Sequence, residues 1–160
     1  MTQLEQPIQR SLAKDAFNET WRFLDMHHRT IEQEDEMVNL AHVSRYHWGI
    51  VGQPFHWSRG EWQLSRVYAV LSRPAEAIYH AHRCLSICRQ HSLGDFDLAC
   101  AHEALSRAHR SADDLEGARR EYELALTITE RISEPEDRAV LYSDLREHAE
   151  ILGIDWPAGK

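Results

Sequence analysis

Arginine, tryptophan, histidine and cysteine are the residues of this chain best suited to chemistry, and the arginines have the most regular spacing. Arg66 lies two residues from both Leu64 and Tyr68, about 200° around a helix from each, so a helix that buries those two turns Arg66 the other way. Trp62, four residues earlier, shares its side, and Arg59 lies a turn before Trp62. Forty-one residues on, the same positions hold Glu103 and Arg107. Trp supplies large rigid area and Arg planar, charge-assisted hydrogen bonds, and both types recur at the energetic centres of binding surfaces. Arg59, Trp62, Arg66, Glu103 and Arg107 are therefore the candidate ligand-binding residues, suited to a peptide carboxylate or an acidic side chain. The same residues also have a plainer reading, in which Glu103 and Arg107 are a solvated i, i+4 pair, Trp62 packs under the first helix and Arg66 neutralises nearby carboxylates.

Eleven histidines raise the question of a metal. His42 and His47 differ by five residues, about 140° apart on a helix, and His80 and His82 by two, about 200° apart, so neither pair chelates from one helix. His102-Glu103 begins like a zinc-protease pattern, but Ser106 stands where the second histidine would have to be. No metal site and no cofactor are expected. A site assembled between helices from His27, His28, His42 and His47 near Glu36 is the alternative, and it would make the chain a metal-dependent helical enzyme. Cys84 and Cys88 share a helical face and read as buried, inert thiols rather than a redox pair. The segment from His47 to Trp57 is aromatic and rich in turn residues, so it is either a hairpin covered by its own rings or an exposed binding lip. Nucleotide-binding glycine loops, nucleophile elbows and catalytic carboxylate pairs are missing from the sequence.

Composition narrows the classes. The chain has 160 residues, 28% of them charged, with a formal net charge of −8, which argues against nucleic acid or anionic lipid as the partner. Three cysteines make no secreted disulfide framework. The opening Met1 to Pro7 lacks a basic segment followed by an apolar one, and no run of about 18 apolar residues occurs. A cytoplasmic, non-membrane protein is the expectation.

The elements that would position these residues are helices throughout. Ala13, Phe17, Trp21, Leu24, His28 and Ile31 step by three and four and predict a first helix; Met37, Leu40, Ala41, Ser44, Trp48 and Val51 predict a second, with Glu34-Asp35-Glu36 near its positive end. Ser58-x-x-Glu61 predicts a capping box for the third, Pro74 the first turn of the fourth, and Gly94-Asp95 the start of a fifth running to about Ser111. Asp113-x-x-Glu116 opens a sixth, and Ser133-x-x-Glu136 a seventh that ends near Gly153. The strings Leu64-Ser65-Arg66-Val67-Tyr68 and Leu105-Ser106-Arg107-Ala108-His109 are near copies, and the same offset of 41 pairs Ala77 with Ala118 and Leu85 with Leu126. A constant offset across two helical stretches marks one unit used twice.

Within each copy, Leu64-Ser65-x-x-Tyr68 is followed by Ala77-x-x-x-Ala81, and Leu105-Ser106-x-x-His109 by Ala118-x-x-x-Tyr122. This resembles the tetratricopeptide repeat, in a long-period variant. The departures are Glu61 and His102 in the family's tryptophan slot, Ala81 in its aromatic slot, and a period longer than 34. The resemblance implies an all-α fold, a right-handed α-α superhelix of about seven antiparallel helices in one domain, 1–160. Residues 1–55 would be a degenerate leading pair, 58–132 two clear repeats and 133–153 a capping helix. It further implies that the first helix of each repeat lines a concave groove, and hence a non-catalytic adaptor or regulatory sensor that binds a protein or peptide segment. A short solenoid leaves an apolar end exposed, so a homodimer is also expected, and a purely structural homo-oligomer is a further alternative.

Overall fold

Helix signals placed at these intervals produce seven α-helices, which the computed structural model describes over residues 4–157. Residues 1–3 and 158–160 of the expected domain, with the opening Met1-Thr2-Gln3, lie outside that range. The helices are α1 (Gln6–Leu24), α2 (Ile31–Val51), α3 (Pro54–Val70), α4 (Pro74–Gln90), α5 (Asp95–Ser111), α6 (Leu115–Thr129) and α7 (Pro135–Leu152). Among the described residues there is no strand, and no helix is long and apolar enough to cross a membrane. Proline opens α3, α4 and α7, where its missing N–H has no partner to lose. Gly153 closes α7 with φ of 64°, a left-handed conformation that glycine takes without a Cβ clash.

Four boundaries differ from the sequence reading, among them that of α7, whose N-cap is Glu134 rather than Ser133 and makes no side-chain cap bond. The first helix ends at Leu24, because Thr30 and Gln33 form a reciprocal capping box that starts α2 at Ile31. His28 and Ile31 therefore leave the α1 face, and Ile31 is 74% exposed. The third helix begins at Pro54, so Ser58 and Glu61 are buried interior residues rather than a cap. The cap of α6 is Asp114, whose carboxylate accepts the Gly117 N–H at 2.9 Å.

Helices α1 and α2, α3 and α4, and α5 and α6 form antiparallel hairpins, while α7 packs on α5 and α6. Odd-numbered helices also meet one another, α3 touching α1 and α5, and α5 touching α7; no even-numbered helix meets another. Small residues permit the close hairpin contacts. Ser65 Oγ donates to the Ala77 carbonyl at 2.8 Å, and Ser106 Oγ donates to the Ala118 carbonyl at 2.8 Å, one bond per repeat copy, with both alanines fully buried. The α3–α4 and α5–α6 turns match too, since Ser72 and Asp113, forty-one residues apart, have φ of 56° and 59°. One core cluster runs through Phe23, Met37, Leu64, Val67, Tyr68, Leu85 and Leu105; a second joins Tyr122 of α6 to Leu145, Ala149 and Leu152 of α7.

Candidate functional site

Where the C-terminal halves of α1, α3, α5 and α7 converge, they leave a cleft of about 370 Å³. Its walls carry Trp21 and Asp25 near the end of α1, Arg66 of α3, Arg107 and Arg110 of α5, and Glu147 of α7. Only odd-numbered helices and the residue that caps α1 contribute, as their mutual packing requires. Arg66 sits 5.0 Å from the Trp21 ring and 5.7 Å from the Trp62 ring, a guanidinium clasped by two aromatic faces. Its carboxylate partner is Asp144 of α7, at 3.4 Å, well beyond the roughly 2.7–2.9 Å of a strong charge-assisted bond. Burial and the nearby Glu103 push the Asp144 carboxyl up, against the pull of Arg66.

Arg110 is different. Its Nη1 is buried and donates to no partner among the described residues. Burial, and then the repulsion of Arg107, push its guanidinium below the usual arginine range. An anion entering the cleft would relieve both effects.

Behind the cleft wall lies a buried network. Glu103 is fully buried and receives Trp62 Nε1–H at 2.7 Å, Arg107 Nε at 3.1 Å and His148 Nε2 at 3.0 Å. Burial alone would raise this carboxyl, but Arg107 and His148 outweigh it and hold it well below the usual range. Burial pushes the His148 imidazole down, against its hydrogen bond to Glu103. Ser106 Oγ, 3.1 Å from His148 Nδ1, completes a Ser-His-Glu array. That array cannot act as a nucleophilic triad, because all three residues are fully buried and the Ser106 bond to Ala118 is duplicated by Ser65 and Ala77 with no histidine present.

The five candidate residues therefore do not form one surface. Arg66 and Arg107 line the cleft, Trp62 and Glu103 bond to each other beneath it, and Arg59 lies elsewhere, paired with Asp97 at 2.8 Å. Arg110 and Trp21 carry the cleft and are absent from the sequence-based set. Trp21 appears there only as a core residue, and Arg110, three residues after Arg107, has a repeat equivalent, Ala69, that offers no matching signal.

Two acid–base pairs also follow the repeat, with polarity reversed. Glu61 and His80 meet at 2.7 Å, and the equivalent positions hold His102 and Glu121, which meet at 2.6 Å. Burial raises both carboxyls, yet His80, Arg45 and Arg83 bring Glu61 below its ordinary value, and His102 does the same for Glu121. Among the described residues, no three His, Cys, Asp or Glu side chains gather as a metal would need. His42 Nε2 lies 2.8 Å from Tyr68 Oη, and His47 Nδ1 lies 3.3 Å from Gln9 Oε1. Its hydrogen bond with Cys88 and burial push the Cys84 thiol well up, and burial does the same for Cys100. Set beside protein-family models and curated proteins, the chain matches none.

Proposed function

We propose that the chain is a non-catalytic binding module, a right-handed tetratricopeptide-like superhelix that takes a carboxylate-bearing protein or peptide segment in the cleft between α1, α3, α5 and α7. The observation that carries this reading is the buried, unpartnered Nη1 of Arg110 in a cleft it shares with Arg66 and Arg107. Three guanidiniums around one cavity are unusual in a chain of net charge −8, and a carboxylate is the group whose planar geometry matches them. The loosely held Asp144 supports the reading further, because it is a carboxylate from the protein's own last helix that an incoming one can replace at Arg66. The family resemblance supplies the rest: a cytoplasmic adaptor or regulatory sensor, with a homodimer covering the apolar end of a short stack.

Titration with a panel of short peptides, each made with a free and with an amidated C-terminus and with or without internal acidic residues, tests this. Saturable binding that disappears when every carboxylate is removed is the expected result; binding indifferent to carboxylates would overturn it.

A further inference from the structure

A second cavity, of about 210 Å³, lies beside the middle of α1 and the first turns of α3 and is lined by Lys14, Phe17, Trp48, Phe55, His56 and Arg59. It is larger than the roughly 150 Å³ apolar cavity that takes one benzene ring, and smaller than the roughly 300 Å³ at which pockets for drug-sized ligands begin. Three of its six lining residues are aromatic hydrocarbon surfaces, and a fourth, His56, lies stacked on Trp48 with ring centroids 4.0 Å apart. His56 Nδ1 accepts the Gln53 N–H at 3.0 Å, which leaves the ring neutral with its proton on Nε2.

The charge at this cavity is one-sided. Lys14 and Arg59 are cations, a third cation, Arg10, lies 5.8 Å from the Trp48 ring, and no carboxylate lines the cavity. Arg59 is tied to Asp97 and held between the Phe55 and Phe96 rings, at 5.1 and 5.2 Å. Lys14 is exposed and makes no ion pair among the described residues. Burial, followed by Arg10 and Arg59, pushes His56 below its ordinary value, as a positive surrounding field requires.

From this we infer a ligand site separate from the cleft, which takes a single aromatic ring bearing a carboxylate: the ring lies against Phe17, Trp48 and Phe55, and the carboxylate meets Lys14 at the mouth. A free aromatic acid and a peptide that ends in phenylalanine both present this chemistry. The site goes beyond the proposed function and does not depend on it, because it shares no residue with the cleft.

Nuclear magnetic resonance titration of the whole chain with phenylacetate, with its neutral analogue benzyl alcohol, and with a hexapeptide ending in phenylalanine reads the site directly. Phenylacetate, the hexapeptide or both should shift the amide signals of Phe17, Trp48 and Phe55 saturably, and whichever binds identifies the source. Benzyl alcohol should bind about tenfold more weakly, and Lys14→Glu should weaken the acid by a similar factor without altering the circular dichroism spectrum. Equal binding of the acid and the alcohol, no effect of Lys14→Glu, or no shift at these three residues with either acid would overturn the assignment.

Discussion

A carboxylate taken out of water persists only where its charge and lone pairs are met, and Glu103 has donors from three residues, Trp62, Arg107 and His148. Removing it by Glu103→Ala leaves Arg107, only 8% exposed, without its main counter-charge. Such a loss costs about 3–5 kcal/mol, and a lowered urea midpoint at unchanged slope is the expected reading. The pH dependence follows from the same groups. His42, His56 and His148 have folded values below 6.5, each chiefly through burial, so the unfolded chain binds protons first and stability falls as pH drops below about 6.5. Glu61, Glu103 and Glu121 lie below 4.5 in the fold, so their contribution is full above that value and is lost on further acidification. Thermal melting between pH 8 and pH 3 should therefore show two successive declines, and His148→Asn should flatten the first. The i, i+4 spacing of Glu103 and Arg107 is plain in the sequence. Their burial is not, because it depends on Trp62 and His148, which come from helices 41 and 45 residues away in the chain.

At the level of the elements, the repeat explains more than the helix boundaries do. The offset of 41 recovers the Ser65–Ala77 and Ser106–Ala118 bonds, the matched turns at Ser72 and Asp113, and the two inverted acid–base pairs. Such a pair is worth keeping in either polarity, so reversing one is an informative perturbation. His102→Glu alone would set two carboxylates against each other, and Glu121→His alone two imidazoles. The double variant restores the polarity of the preceding repeat and should melt above both single variants, with a coupling of about 1–3 kcal/mol in a double-mutant cycle. Caps were less legible than periods. Ser58-x-x-Glu61 has the form of a capping box, but Pro54 starts the helix a turn earlier and both residues turn inward, Ser58 to Cys84 and Cys88 and Glu61 to Arg45 and His80. Gly60 allows the last contact, because a Cβ there would lie 2.8 Å from Arg45 Cδ.

Across the whole molecule, sequential helices pack in hairpins while odd-numbered helices also pack on each other, so their C-terminal ends gather around one cleft. The sequence predicted that Arg66 and Arg107 would project on one side, and both do line the cleft. It did not reveal that α7 lies across that side, bringing Asp144 and Glu147 to the same arginines and His148 to Glu103. This changes which residue can test the function. Replacing Arg107 disturbs the Glu103 network and with it the fold, whereas Arg110 has a buried nitrogen with no partner to lose.

The most direct measurement is calorimetric titration of wild type and Arg110→Gln with one carboxylate-bearing peptide from the panel and its amidated form, alongside thermal melts of both proteins. A buried charged contact of this kind is worth about 2–5 kcal/mol when one partner is truncated, so Arg110→Gln should lose at least about thirtyfold in affinity for the carboxylate form while melting within a degree or two of wild type. Equal affinity of the two proteins for that peptide would contradict the account and leave the three arginines as structural groups only.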